Sequence, residues 1–312
     1  MLLRLFLGAI VVGLSLGLWS VFIEPAWIRF KDHAIPVAGW PAELSGYTIA
    51  FITDAHVGSP FITLKRLQSI VESVNALEPD LVLLGGDYVI QEVVGGRPVP
   101  SKDIAAVLSK LKAKHGVFGV LGNHDWWDDA PRIRQEFVEQ QVRILEDAAQ
   151  HIDVDGKGFW LVGVSDYTEG DHDVDKALSA VGGSDPIIVL THSPDIFPDV
   201  PPRVGLTIAG HTHGGQVYVP LVGRPIVPSK YGQRYAIGLI EENGKRLFVG
   251  PGIGTSILPI RFLTPPEISI LRLHPDGATA VATGLPRTPG GGCSRAPKRG
   301  ARARFHQTDR RM

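Results

Sequence analysis

The chain has 312 residues, 44% of them hydrophobic and 20% charged, a composition that supports a substantial buried core and excludes disorder throughout. Its formal charge of −1 hides an asymmetry, because eight Lys/Arg and one Asp lie beyond Thr283 and leave residues 1–283 at −8. The single cysteine, Cys293, excludes an intrachain disulfide and a thiolate cage for a metal.

In chain order, the first signal is Leu5 to Ile23, 19 residues without a charge between Arg4 and Glu24. About 20 apolar residues cross a bilayer. A cleaved signal peptide has a shorter apolar core of roughly 7–15 residues and a small-x-small exit, which "SVFIEPAW" lacks. Residues 1–31 are therefore expected to be an uncleaved, single-pass anchor in the cell membrane. Arg4 on one side and Arg29 and Lys31 on the other leave the side of the following domain open.

From about residue 45 to 276, short β-rich runs alternate with helical patterns, as in an α/β layered domain. "YTIAFITD" reads as a buried strand, and Leu64, Leu67, Ile70, Val71, Val74 and Leu77 then recur at helical spacing until Pro79. "DLVLLGGD" is a second strand, Ser101 is expected to cap a helix, and "GVFGVLGNHD" is a third strand. A further helix is expected around 131–149. "FWLVGVSD", "PIIVLTHSPD", "VGLTIAGHTH", "KRLFVGPGIG" and "ISILRLH" read mostly as strands. Residues 284–312 are low-complexity and basic, and are expected to be a disordered tail.

The polar residues gather where these strands end: Asp54 and His56 after the first, Asp87 after the second, and Asn123, His124 and Asp125 after the third. His192 closes a fourth, and His211 and His213 a fifth. Open α/β sheets bind ligands beyond the carboxyl ends of their strands, so these side chains should converge. Carboxylate, amide oxygen and imidazole are donors for Mn²⁺, Fe²⁺ or Zn²⁺. Seven or more such donors are too many for one tetrahedral ion and suit two ions sharing a carboxylate, the arrangement that serves displacement at phosphorus. Gly85, Gly86, Gly122, Gly210, Gly214 and Gly215 are read as clearing room for a phosphate. Trp126 and Trp127 are read as core aromatics ahead of substrate stacking, and His172 as a loop or cleft-rim residue.

"DAH", "GGD", "GNHD", "THS" and "GHTHGGQ", in this order, resemble the five blocks of the calcineurin-like metallophosphoesterase superfamily. "PGIGTS" and "RFLTPPEISIL" resemble the closing strands of its bacterial membrane-anchored branch, so the likeness runs from about residue 52 to 272. The resemblance implies a four-layer α/β/β/α sandwich of two mixed sheets behind the transmembrane helix. It implies a first metal on Asp54, His56 and His213, a second on Asn123, His192 and His211, and Asp87 bridging both. His124 corresponds to the non-ligand catalytic histidine, and Asp125 would orient it.

The resulting expectation is a membrane-anchored phosphoesterase with two divalent metal ions, hydrolysing a phosphodiester or pyrophosphate. The branch includes hydrolases of UDP-2,3-diacylglucosamine in lipid A biosynthesis, which makes that compound or a similar lipid-linked phosphoester the specific candidate. Leu221, Val222, Ile257 and Leu258 read either as an acyl-binding lip or as core. A broad phosphodiesterase acting on nucleotides or envelope polymers is the alternative, and a noncatalytic metal-binding scaffold the alternative from another class. The acidic body makes a stable nucleic-acid partner unexpected. The sequence does not set the oligomeric state.

Overall fold

The computed structural model describes residues 1–277; the tail expected at 284–312, with Cys293, lies outside the described residues. At the N-terminus α1 (Leu2–Leu18) continues through a π-turn and a 3₁₀ turn to Ala26, giving 25 helical residues apolar enough to cross a membrane. A helix that serves a globular core buries one face. No residue of α1 is buried.

Among the described residues, twelve strands form two six-stranded sheets. β1 (Arg29–Val37), β2 (Tyr47–Ile52), β3 (Leu81–Leu84), β4 (Val117–Gly119) and β5 (Arg143–Ile144) belong to the first. β6 (Ala148–Val154), β7 (Lys157–Gly163), β8 (Ile187–Leu190), β9 (Leu206–Ala209), β10 (Gly238–Glu242) and β11 (Lys245–Val249) make the second, and β12 (Glu267–Pro275) returns to the first. The orders are β1-β12-β2-β3-β4-β5 and β10-β11-β9-β8-β7-β6. Both sheets are mixed: β2 to β5 run parallel beside antiparallel β12, and β7, β8, β9 and β11 run parallel between antiparallel β6 and β10.

Strands buried on both faces need apolar residues at every position, and the alternation of side chains decides which layer each one fills. Ile49, Phe51, Leu81, Leu83 and Phe118 meet Phe159, Leu161, Ile188, Leu190, Leu206 and Phe248 between the sheets. Their alternates Ala50, Ile52, Val82 and Leu84 face outward onto α2 (Leu64–Asn75), α3 (Ser101–Leu108) and α4 (Asn123–Glu139). On the second sheet Val162, Ile187 and Val189 pack against α5 (Val174–Leu178) and the 194–200 turn. The expected α/β/β/α order of layers follows from this packing.

Three local expectations differ. α4 spans Asn123–Glu139, beginning at the "GNHD" block with a break at Asp129, rather than covering 131–149. Asp129 is extended at φ −172°, and its carboxylate accepts the Arg132 N–H at 3.1 Å, restarting the helix after the break. Ser101 lies inside α3 behind the cap residue Pro100 and donates its hydroxyl to Glu136 at 2.5 Å. The first sheet also begins at Arg29, ahead of the bound expected near residue 45, because β1 pairs in parallel with β12 from Arg29↔Glu267 to Val37↔Pro275. Its first four residues are exposed, so this edge strand carries little of the apolar signal of a buried one.

Candidate metal centre

The parallel strands of both sheets end at one place. Asp54 and His56 follow β2, Asp87 follows β3, Asn123, His124 and Asp125 open α4 after β4, His192 follows β8, and His211 and His213 follow β9. Asp54, His56, Asp87, His211 and His213 all have left-handed backbone, with φ between 41° and 68°. Non-glycine residues rarely hold that conformation, and such strain clusters at functional sites.

The side chains converge as metal donors do. Asp54, His56 and His213 form one group of mutually close ligand atoms, and Asp87, His192 and His211 another; a third group adds His124 to His56 and Asp87. His56 Nε2 lies 3.0 Å from His213 Nε2, and His213 Nε2 is 3.4 Å from Asp54 Oδ1. His192 Nε2 lies 3.1 Å from both Asn123 Oδ1 and His211 Nδ1. Asp87 Oδ2 stands between the groups, 3.5 Å from His56 Nε2 and 3.3 Å from His192 Nε2.

Tautomers fit the same purpose. His56 Nδ1 donates to the Val89 carbonyl at 3.2 Å and His192 Nδ1 to the Gly85 carbonyl at 2.7 Å, which aims each Nε2 into the cluster. Burial pushes the His56 imidazole down to about 3 and that of His211 down to about 4, and takes His213 well below its ordinary value. These rings are neutral at pH 7, as ligand imidazoles must be. Burial also works against a charge on His192, yet the adjoining Asp87 carboxylate raises its imidazole well above the usual range. The field at this point favours a positive charge, and the imidazole, carboxylate and amide donors around it suit a borderline divalent ion.

His124 and Asp125 part ways. The His124 ring is edge-on to His56 at 4.7 Å, its Nε2 lies 3.9 Å from Asp87 Oδ2, and its Nδ1 has no hydrogen-bond partner. Asp125 does not orient it, contrary to expectation. Its carboxylate accepts N–H groups from Gly122 (2.9 Å), Asp87 (2.8 Å), Tyr88 (2.9 Å) and Val89 (3.2 Å), so Asp125 holds the turn that carries Asp87. The glycines also differ from their expected purpose. A Cβ on Gly122 would meet the Asp87 carboxylate and His192 Cε1, so the missing side chain there makes room for donor side chains rather than for a phosphate.

Trp126 packs partly buried against the core, as expected, but Trp127 does not. It is 55% exposed, its ring stands 4.8 Å from that of His124, and its indole N–H donates to Glu169 at 2.8 Å. His172 is part-buried and packs its ring at a tilt against Tyr167, with centroids 4.9 Å apart. Leu221, Val222, Ile257 and Leu258 are exposed rather than core. Sequence reasoning missed Asp166, a buried strand-end carboxylate after β7 whose charge raises His192 and whose Oδ2 is unpartnered. Its position in "VSD" matches the other strand-end acids. A cavity of about 410 Å³ lined by Ser109, Lys114, His115 and Arg143 shares no residue with the cluster.

Residues 47–215, which contain every donor of the cluster, match the calcineurin-like phosphoesterase family. The chain belongs to that family. It is 29% identical to the uncharacterized metallophosphoesterase YkuE of Bacillus subtilis, covering 85% of this chain and 92% of that one. It is 30% identical to phosphodiesterase YaeI of Escherichia coli over 81% and 90% of the two chains. A transmembrane protein with metallophosphoesterase domain from Danio rerio is 27% identical over 84% of this chain and 61% of its own. As a calcineurin-like phosphoesterase, the protein is a metal-dependent phosphoester hydrolase using two divalent ions.

Proposed function

We propose that Asp54, His56 and His213 hold one divalent ion, that Asn123, His192 and His211 hold the other, and that Asp87 is shared. Mn²⁺, Fe²⁺ and Zn²⁺ all suit these donors. When bound, such a pair supplies a water of lowered pKa and positive charge for the phosphoryl oxygens. The chain supplies the rest. Carbonyls of Val89 and Gly85 keep two imidazoles aimed inward, and Asp125 fixes the Asp87 turn. His124, with a free ring nitrogen, holds a proton beside the leaving oxygen. The observation that carries this assignment is Asp87 Oδ2, flanked at 3.5 and 3.3 Å by imidazoles from the two sheets. The test is a panel of phosphomonoesters, phosphodiesters and pyrophosphates offered to the purified protein with Mn²⁺. Hydrolysis that is abolished by chelation and restored by Mn²⁺ is expected, and full activity after exhaustive chelation overturns it.

The substrate reading starts from α1. An apolar helix with no buried face supports a single-pass anchor in the cell membrane, and the membrane wording of the Danio rerio relative's name is consistent with it. A site tethered at a bilayer meets lipid-linked phosphoesters at high local concentration. We infer a lipid-linked phosphodiester or pyrophosphate, with UDP-2,3-diacylglucosamine or a close analogue as the specific candidate. In detergent, that compound should turn over faster than its deacylated counterpart; equal turnover of both, or of neither, removes the lipid substrate. A broad phosphodiesterase on nucleotides or envelope polymers is the second reading, favoured by the exposed Trp127 indole, which offers a stacking face beside His124.

A further inference from the structure

Large apolar side chains stand exposed together at one place beyond the metal centre. Leu221, Val222 and Ile226 project from the segment that follows His213, and Ile257, Leu258 and Leu263 from the segment before β12. Tyr218 N–H donates to the Phe262 carbonyl at 2.8 Å. The Gln216 side chain accepts the Ser256 N–H at 2.8 Å and donates to the Leu258 carbonyl at 3.2 Å. Gln216 is three residues beyond His213, so the joined loops adjoin the donor cluster. Exposed apolar residues are ordinary when scattered singly, but a contiguous patch marks an interaction surface.

Three observations identify what covers this patch. The first is its continuity with the membrane helix. Arg261 N–H donates to the Ser20 carbonyl at 2.9 Å, and Thr264 N–H to Glu24 Oε1 at 2.6 Å, while Glu24 Oε2 accepts the Trp19 indole N–H at 2.8 Å. Ser20 lies inside the uncharged run that ends at Ile23. Trp27, with the Arg29 guanidinium 4.0 Å above its ring, follows as the aromatic and basic pair typical of a membrane–water boundary. A loop bonded to Ser20 sits at that boundary or inside it.

The second is charge. "VYVPLVG" (217–223) and "SILPIRFL" (256–263) contain one charged residue, Arg261, and it is fully buried. Its guanidinium donates to the carbonyls of Pro251, Gly252, Gly254 and Thr264, so the outward face of both loops carries no charge. The third is conformation. Leu221, Ile257 and Leu263 have φ of 70°, 59° and 52°, a region that glycine or asparagine occupies with far less strain. Bulky apolar residues are held at three turns where a small or polar residue would fit better.

We propose that the 217–223 and 256–263 loops dip into the leaflet from which α1 emerges. The rim they form holds the mouth of the metal centre against the bilayer, and a phosphoester whose apolar part stays embedded reaches the donors from the side. This deepens the membrane reading above and rests on it. The test uses the full chain with Cys293→Ser, carrying one cysteine substitution labelled with an environment-sensitive fluorophore. The chain is reconstituted into phosphatidylcholine–phosphatidylglycerol vesicles with or without lipids brominated on their acyl chains. Labels at Val222→Cys and Leu258→Cys should be quenched at least several-fold more than a label at Val138→Cys, which is exposed on α4. Leu221→Cys and Ile257→Cys form a second pair should either first variant misfold. Quenching at the rim equal to that at position 138 overturns the proposal. The measurement needs no turnover. Strong quenching without hydrolysis of UDP-2,3-diacylglucosamine leaves the rim standing and removes the lipid substrate, whereas hydrolysis with unquenched labels removes the rim alone.

Discussion

Side by side at the start of α4, His124 turns its ring toward the cluster and Asp125 turns its carboxylate into the backbone of residues 87–89. Substitutions should separate these roles. His124→Ala is expected to retain Mn²⁺ while losing roughly 10²–10⁴-fold in rate, the usual contribution of a general acid or base. Metal analysis and turnover on the same sample check it, and an empty His124→Ala site would make this residue a ligand instead. Asp125→Asn, which replaces one acceptor oxygen by a donor against four backbone N–H groups, should weaken Mn²⁺ binding by about 10–100-fold, as loss of a ligand's support does. Calorimetric titration reads this directly, and unchanged affinity with lowered turnover would return Asp125 to a role through His124. The convergence of the seven proposed donors was legible in the sequence because each is a polar residue where an apolar strand ends. The duty of Asp125 was not, since its partners are backbone amides, which every residue but proline carries.

At the scale of single elements, strands buried on both faces were the ones the sequence displayed. β3 and β8 are unbroken apolar runs, and β2 and β9 are interrupted only by Thr48 and Thr207. β1 and β5 lie at the edges of the first sheet, where one side is unpaired and the residues are mixed, so neither stood out. Beyond the backbone ladder and the apolar contacts of Ile35 and Val37, polar side chains join β1 to β12. His33 Nε2 lies 2.7 Å from Glu267 Oε1, and Ser269 donates to the same oxygen at 2.6 Å. Burial raises the Glu267 carboxyl, but His33, Ser269 and Lys31 together hold it below its ordinary 4.5. A carboxyl depressed in the folded state contributes stability that is present above its unfolded value and lost as pH falls through the folded one. Amide exchange in β1 should therefore be slow at pH 6 and should accelerate relative to β3 as pH drops below about 4.5, the ordinary Glu range. Glu267→Gln should remove this extra acid sensitivity; an unchanged pH dependence in that variant would assign the effect to another carboxyl.

Across the whole molecule, the proposed donors would tie two sheets that otherwise meet through an apolar layer. Asp54, His56, Asp87 and Asn123 come from the first sheet, and His192, His211 and His213 from the second. Each proposed ion draws on both sheets, so it would bind the folded chain and not the unfolded one, since donors as far apart in sequence as Asp54 and His213 are brought together only by the fold. Occupancy must then raise stability by mass action, about 2.7 kcal/mol when free ion is 100 times its Kd. For a domain of about 150–250 residues, each kcal/mol moves Tm by roughly 2–4 °C, so saturating Mn²⁺ should raise Tm over the chelated protein by about 5–10 °C for each ion bound. Scanning calorimetry at matched ionic strength separates this from general salt effects. Asp87→Asn should show a smaller rise if, as proposed, its carboxylate is shared between both groups of ligands. A Tm indifferent to Mn²⁺ would mean that the cluster is not closed by metal. A rise undiminished in Asp87→Asn would instead leave one group binding alone, and the bridging role would fall.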